Sequence, residues 1–253
     1  MDSVKKIARA IKNLTAADCY KIHIEPDAKP AIFDSKFGGT PYWTADKAFP
    51  VDANGNKMFL LAQINFAAFK FDEPFPSGGI LQFFAANEDL LGLDYDNPTA
   101  QKNFRVVYHE KIGGDIVEIP PDNPADNFTP VCGEYKISFS HSETFMTAHD
   151  FRFDEICKSA AGGVELSDEN YQKLCGELES EFPCHQMLGY PYFTQEDPRY
   201  NKKFAEYDTL LLQIDSEGEY VMWGDAGVGN FFIRRQDLVD KNFSDVLYNW
   251  DCC

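Results

Sequence analysis

The stretch Gly39-Thr-Pro-Tyr-Trp-Thr44 recurs 150 residues later as Gly189-Tyr-Pro-Tyr-Phe-Thr194, with four of the six positions identical. At the same offset, Leu60-Leu-Ala-Gln-Ile-Asn65 recurs as Leu210-Leu-Leu-Gln-Ile-Asp215, again with four identities in six. Average composition would give roughly one identity across both windows. Because the offset is the same for both blocks, the sequence indicates an internal duplication.

Each copy reads as a Gly-x-Pro-Tyr-aromatic loop, a buried strand, a turn and a glycine-led aromatic strand. The last element is Gly79-Ile-Leu-Gln-Phe-Phe84 in the first copy and Gly227-Val-Gly-Asn-Phe-Phe232 in the second. Two copies are too few for a solenoid, which needs at least three stacked units. They favour a pseudo-two-fold β architecture, with repeat units at about 38–85 and 188–235 of a single domain over residues 1–253.

Hydrophobic periodicity predicts the elements around these units. Apolar residues at helical spacing indicate a helix from about Ser3 to about Ala17, and the pattern is helical again over residues 143–183, where Ser167 has the position of an N-cap. Runs rich in β-branched and aromatic residues predict strands at 20–25, 31–37, 58–65, 79–85, 104–111, 135–140, 207–215, 219–223, 230–234 and 246–250. The prediction is therefore a mainly β (α+β) fold with an N-terminal helix and a helical insert in the middle. The Pro-rich segment 120–130 is predicted to be an exposed loop.

The charge balance narrows the classes of partner. The chain has 253 residues, with 23 Lys and Arg against 41 Asp and Glu, and its formal net charge is −18. An acidic surface repels phosphate backbones and anionic lipid, so neither nucleic acid nor a membrane is expected as a partner. The sequence has no run of 18 apolar residues and no signal-peptide core, which favours a cytoplasmic location.

The cysteine and histidine patterns predict neither a disulfide framework nor a metal site. Seven cysteines are an odd number and contain no C-x-x-C pair, so all are expected to be unpaired thiols. The five histidines lack metal-ligand spacing, and no Walker, G-x-S-x-G, H-E-x-x-H or EF-hand motif is present. Gly224-Asp-Ala-Gly-Val-Gly229 looks like a phosphate loop, but a strand rather than a helix follows it, which favours a tight turn. No catalytic residue, metal or cofactor is predicted.

The candidate binding residues come from the duplicated and aromatic positions. The paired glutamines lie amid apolar strand residues, where each either fixes neighbouring backbone or contributes to a polar site at the pseudo-axis. The tryptophans at element ends either line a groove or pack at its rim. The candidates are Trp43, Gln63, His185, Gln213, Asp215, Trp223 and Asp225.

Asp225 is the candidate that differs most between the two copies. It lies in a turn between strands of the second copy, whereas Pro76-Ser-Gly-Gly79 occupies the corresponding turn of the first. A site can be built on one copy only, which favours a functional role. Aspartate is also a common turn residue because its carboxylate binds nearby backbone amides, so a structural role stays open.

Blocks from about Lys36 to Cys252 resemble one known family. They include Gly38-Gly-Thr-Pro-Tyr-Trp43, Phe59-Leu-Leu-Ala-Gln-Ile-Asn-Phe66, His185-Gln-Met-Leu-Gly-Tyr-Pro191, Met222-Trp-Gly-Asp-Ala-Gly227 and Tyr248-Asn-Trp-Asp-Cys252. In this order they resemble the YwqG-like family, mostly bacterial cytosolic proteins classed as a domain of unknown function. The resemblance implies a mainly β, internally duplicated single domain, and it carries no established activity, cofactor or catalytic residue.

Two functions remain open at the level of sequence. The first is a non-enzymatic, monomeric cytosolic module that binds a small molecule or a protein segment in an aromatic and acidic groove. The alternative is a hydrolase or isomerase with Asp215, Asp225 or His185 as general base, which would need a perturbed pKa in a cleft. A histidine–carboxylate pair in a deep pocket would favour the enzyme.

Overall fold

The computed structural model describes residues 3–119, 128–163, 165–179 and 181–253. Their strands are β1 (Ala17–Glu25), β2 (Lys36–Gly38), β3 (Phe59–Asn65), β4 (Ile80–Ala85), β5 (Phe104–His109), β6 (Glu134–Thr144), β7 (Gln186–Leu188), β8 (Thr209–Asp215), β9 (Val228–Ile233) and β10 (Leu247–Asp251). The α-helices are α1 (Ser3–Thr15), α2 (Phe153–Ala160), α3 (Asp168–Glu177) and α4 (Arg235–Val239).

All the strands join one antiparallel sheet in the order β10-β9-β8-β7-β1-β6-β2-β3-β4-β5, which curls into a nearly closed barrel. Exchanging each of β1–β5 with its counterpart in β6–β10 gives the same order read from the opposite edge of the sheet, so a pseudo-two-fold axis passes between β1 and β6. Their register joins Ala17 to Thr144 and Glu25 to Lys136. Because β2 pairs with β6 and β7 pairs with β1, the first strand of each copy lies in the half of the sheet that the other copy forms. The predicted fold class is confirmed.

The two copies, β1–β5 and β6–β10, share the same irregularity. The β3–β4 register shifts between Leu60 and Ala62, and the β8–β9 register shifts between Leu210 and Leu212. A bulge places one extra residue in a strand and increases its local twist. Because the bulge occupies the same position in both halves, the same local backbone is built twice.

The barrel interior is filled from both copies. Phe83 of β4 and Phe231 of β9 have ring centroids 4.9 Å apart, and Phe231 stacks on Tyr248 of β10 at 4.6 Å. These rings belong to one buried cluster together with residues such as Leu61 and Leu211. The two halves therefore share one hydrophobic core, whose burial drives their association.

The helices form a smaller apolar cluster beside the barrel. Val4, Ala8 and Ile11 on α1 pack against residues of α2 and α3, as the helical periodicity predicts. The hydroxyl oxygen of Ser167 accepts a hydrogen bond from the backbone N–H of Asn170, which confirms the predicted N-cap. No helix among the described residues is both long and apolar enough to span a bilayer.

The structure corrects several predicted elements. Residues 219–223 form only isolated bridges between Val221 and its partners Val131 and Glu217. The predicted strand at 31–37 shortens to β2, since residues 32–34 turn, and β7 and α4 are too short to give a clear periodic signal. The turn before β9 has left-handed φ angles at Gly224 and Ala226. Most of the predicted loop at 120–130 lies outside the described residues.

Candidate functional site

A cleft of about 640 Å³ opens in the first copy, between residues 44–47 and the segment 108–115 that begins at the end of β5. His109, the last residue of β5, is 1% exposed and lies against two aromatic rings. Its imidazole centroid is 5.1 Å from the ring centroids of Tyr42 and Trp43, both in edge-on contact. The repeated Pro-Tyr-aromatic loop therefore forms the wall around this histidine.

A chain of hydrogen bonds runs from the cleft into the sheet. Lys47 Nζ lies 3.2 Å from His109 Nδ1, and His109 Nε2 lies 2.9 Å from Gln82 Oε1. Gln82 Nε2 donates to Gln63 Oε1 and to the carbonyl oxygen of Tyr42, both at 2.8 Å. Because the Gln82 amide nitrogen donates both bonds, its oxygen is the acceptor facing His109. His109 therefore carries its proton on Nε2 and accepts from Lys47 through Nδ1.

The surroundings of His109 keep it neutral. Burial, followed by the positive charge of Lys47, lowers its pKa from 6.5 to about 4, and Asp46 only partly opposes this. At neutral pH the buried imidazole is thus a hydrogen-bond acceptor beside an ammonium group. The cleft floor thus presents a charged donor, Lys47, which occupies the neutral acceptor Nδ1 of His109.

The rim of the cleft carries charges of both signs. Asp46 accepts a hydrogen bond from the Thr44 side chain, and this bond is the main cause that lowers the Asp46 pKa. Glu110 is paired with Lys241 at 2.6 Å. The Tyr42 hydroxyl donates to the Gly113 carbonyl at 2.7 Å and accepts from the Gly113 N–H at 3.0 Å, so it fixes the far wall.

The second copy has a carboxylate where the first has this histidine. His109 pairs with the first residue of β4, and Asp251 pairs with the first residue of β9. Asp251 accepts hydrogen bonds from the N–H and hydroxyl of Thr194 at 3.0 and 2.9 Å, and from the Gln195 N–H at 3.2 Å. Its oxygens are therefore committed to its own loop.

Neighbouring residues of the second copy also differ. Asn230 occupies the place of Gln82 and donates to the Tyr192 carbonyl at 3.0 Å, but its Oδ1 has no hydrogen-bond partner among the described residues. The rings of His149 and Phe182, from the helical insert, cover Tyr192 at 4.6 and 4.7 Å. The insert thus contacts the loop that corresponds to the cleft wall of the first copy.

The predicted glutamines have equivalent roles in the two copies. Gln63 Oε1 accepts from the Tyr42 N–H at 2.9 Å, and Gln213 Oε1 accepts from the Tyr192 N–H at 2.7 Å. Gln213 Nε2 donates to the Cys184 carbonyl at 2.5 Å, while Gln63 Nε2 donates to two carbonyls, at residues 32 and 34. Each glutamine therefore fixes loop backbone of its own copy, and only Gln63 also connects to the cleft.

His185 and Asp215 form a separate buried group. His185 Nδ1 accepts from the Asp215 N–H at 2.9 Å, and Nε2 lies 2.9 Å from Glu217 Oε2. Asp215 accepts from the N–H groups of Cys184 and Ser216, and burial raises its pKa. In the first copy Asn65 takes the place of Asp215, and its N–H donates to the Ser35 hydroxyl as the Asp215 N–H donates to His185. Both His185 nitrogens are thus used in fixing the end of β8.

The predicted tryptophans and Asp225 lie in different surroundings. Trp43 is buried behind the cleft, where its ring packs against His109 and its Nε1–H donates to the Lys47 carbonyl at 2.9 Å. Trp223 is fully buried and its ring covers Gly229, at which an added Cβ would lie only 2.4 Å from a ring atom. Asp225 is exposed in the turn that precedes β9. The structure joins only Trp43 and Gln63 of the predicted set to the cleft.

Sequence reasoning missed Lys47, Gln82 and His109. Gln82 lies in the aromatic strand β4, where it pairs with Gln63 as Asn230 pairs with Gln213 in the second copy, so its polar side chain amid apolar residues was a usable signal. His109 lies inside the predicted strand 104–111, which the structure ends at His109, Lys47 lies in a loop, and neither has a motif. The described residues contain no group of three or more His, Cys, Asp or Glu side chains placed to hold a metal ion.

The fold and cleft define an internally duplicated antiparallel β protein with a polar cleft in one copy. The chain belongs to the family described as Domain of unknown function (DUF1963), whose model matches residues 35–252. The match includes both halves of the cleft, and α1 precedes it. Comparison with curated proteins gives no match.

Proposed function

We propose that this chain is a binding module that holds a small polar molecule in the cleft of its first copy. The observation that supports this proposal is the Lys47–His109 pair on the cleft floor, joined at 3.2 Å and held by Gln82 from inside the sheet. Polar groups that converge in a preformed cleft are typical of ligand sites. The second copy keeps the same framework through Asp251 without such a pair, so architecture alone does not require it.

The geometry favours binding over general-base catalysis. A histidine base is stabilised as imidazolium by a carboxylate on its far nitrogen, whereas His109 faces the neutral amide of Gln82. Its pKa of about 4 also makes it a weak base at neutral pH. His185 does have a carboxylate partner, Glu217, but its other nitrogen accepts a backbone N–H and has no lone pair left for substrate.

A thermal-shift screen of polar metabolites against the whole chain tests the proposal. A ligand present at 100 times its Kd stabilises the folded protein by about 2.7 kcal/mol. The same screen on Lys47→Met and His109→Gln should show affinity at least tenfold weaker for any cleft ligand. Lys202→Met, an exposed lysine of the second copy, is the matched control and should bind as the wild type does.

Loss of the shift in both cleft variants, with the control unchanged, supports the proposal. Ligands that stabilise the wild type and both cleft variants equally would place binding elsewhere and overturn it. Because Lys47 is exposed, Lys47→Met should fold normally, and circular dichroism checks that it does.

The wider assignment rests on sequence. We infer membership of the YwqG-like group within the family from the ordered blocks between residues 36 and 252, and with it a bacterial cytosolic origin. The net charge of −18 supports a monomeric module without nucleic-acid or membrane partners. Size-exclusion chromatography with light scattering tests the oligomeric state, and a dimer would overturn that part.

A further inference from the structure

The charges in the cleft point to a ligand class, and this step rests on the proposed binding function. We infer that the cleft binds a zwitterion with a carboxylate and an ammonium group on the same carbon, as in a free α-amino acid. The inference depends on which charged groups of the cleft are already neutralised by the protein and which are not.

The cationic side of the cleft has an unused charge. Lys47 makes no ion pair within the described chain, and its hydrogen-bond partner is the neutral Nδ1 of His109. Lys111 also lines the cleft without an ion pair to any described residue. The neighbouring Asp46 attracts Lys47 without forming an ion pair with it, so the ammonium group can still bind a ligand carboxylate by a charge-assisted hydrogen bond.

The acidic side has unused charge as well. Asp46 and Asp115 line the cleft and neither forms an ion pair with a described residue, whereas Glu110 is paired with Lys241. When a ligand carboxylate attracts Lys47 Nζ, His109 Nδ1 is left as a free acceptor. A ligand N–H beside that carboxylate would restore its hydrogen bond, and the nearby carboxylates favour a positively charged donor.

The same groups disfavour a phosphate ligand. Three carboxylates, from Asp46, Glu110 and Asp115, line the cleft together with Lys47 and Lys111, so a doubly charged anion would meet repulsion. His109 could help a phosphate only as imidazolium, and burial together with Lys47 lowers its pKa to about 4. The cleft volume of about 640 Å³ suits one small organic molecule, and Ile112, 38% exposed, gives a side chain an apolar contact.

The test measures the affinity of the full chain for matched small molecules. Each of the common L-α-amino acids is first tested by thermal shift. Calorimetry then compares the best binder with its 2-hydroxy acid, with its decarboxylated amine and with inorganic phosphate. The expected result is that both analogues bind at least tenfold more weakly than the amino acid, and that phosphate does not compete.

Variants separate the two ends of the ligand. Lys47→Met should weaken the amino acid at least tenfold and leave the decarboxylated amine unchanged. The double change Asp46→Asn with Asp115→Asn should weaken the amino acid at least tenfold, whereas the anionic hydroxy acid should bind as tightly as before or more tightly, because two repelling carboxylates are removed. Lys202→Met, outside the cleft, should change none of these affinities.

The outcomes distinguish this inference from the proposed function. If no amino acid binds, but another metabolite binds in a manner that depends on Lys47, the zwitterion is wrong and the binding function stands. If phosphate or the hydroxy acid binds more tightly than the amino acid, the ligand class is likewise overturned. If no compound responds to Lys47→Met, both proposals are wrong.

Discussion

The two copies share a framework and differ at the end of one strand. Both have the same bulge, and both use a buried glutamine, Gln63 or Gln213, to hold the N–H of a loop tyrosine. At the end of the outermost strand the first copy has His109 and the second has Asp251. His109 faces a cleft beside Lys47, whereas Asp251 is bound by Thr194 and Gln195 of its own loop.

This difference separates scaffold from candidate site. The features present in both copies satisfy buried backbone groups, which any fold must do. The Lys47–His109 pair belongs to the first copy, and since Asp251 takes the histidine's place in the second, the pair is not needed to build the sheet. A duplicated protein thus supplies its own control, because the second copy shows what the framework requires without the Lys47–His109 pair.

The largest expected effect comes from removing the shared glutamines one at a time. Gln63→Leu removes four hydrogen bonds and leaves the Tyr42 N–H and two carbonyls without that partner, while Gln82 Nε2 keeps its bond to the Tyr42 carbonyl; Gln213→Leu removes two hydrogen bonds. Each buried unpaired group costs about 1–3 kcal/mol. We expect Gln63→Leu to lower the free energy of unfolding by at least about 4 kcal/mol and Gln213→Leu by about 2–3 kcal/mol, measured by urea denaturation. Equal losses would show that the extra bonds of the first copy add nothing.

Acidification should act on the first copy through His109. Because its pKa is about 4 in the folded chain and 6.5 ordinarily, the unfolded chain binds more protons between these values. The free energy of unfolding should therefore fall as the pH drops from about 6.5 to 4, by about 3 kcal/mol from this group. Urea denaturation at several pH values measures it.

The control for the pH dependence is His109→Gln, which keeps a hydrogen-bonding side chain and removes the titration. The pKa of His149 is also lowered by burial, but that histidine is present in both proteins, so its contribution cancels in the comparison. The variant should lose less stability than the wild type on acidification. Parallel pH profiles would contradict the assigned neutral state of His109.

The corresponding change in the second copy is Asp251→Ala. It removes the acceptor of three hydrogen bonds from Thr194 and Gln195, and a cost of about 2 kcal/mol in the free energy of unfolding is expected. Binding of a cleft ligand should be unchanged, because the cleft lies in the other copy. A loss of ligand affinity larger than tenfold at a concentration where the protein is folded would place Asp251 in the binding site.

The smallest effect is expected at Asp225. It is exposed in the turn before β9, and Asp225→Asn keeps the shape of the side chain while removing its charge. Surface substitutions of this kind change stability by no more than about 0.5 kcal/mol. Neither the melting temperature nor the affinity for a cleft ligand should move measurably, and a tenfold loss of affinity would restore Asp225 as a binding residue.

The sequence by itself determined the duplication, the fold class and most of the long elements. The repeated Gly-x-Pro-Tyr and Gln-Ile stretches are local patterns, and both glutamines have equivalent positions in the sheet. The periodicity of residues 3–15 and the Ser167 cap were equally readable, since helices and caps depend on neighbours a few residues apart.

Only the tertiary structure decided how the copies join and where the cleft lies. The copies join because β1 pairs with β7 of the other copy and β6 pairs with β2 of the other copy. The strands β2 and β7 have three residues each and are too short to carry a periodic signal. Lys47 and His109 are 62 residues apart, and their pairing follows from how a loop folds over a strand end. The neutrality of His109 comes from burial and a nearby charge, and these arise only when the chain is folded.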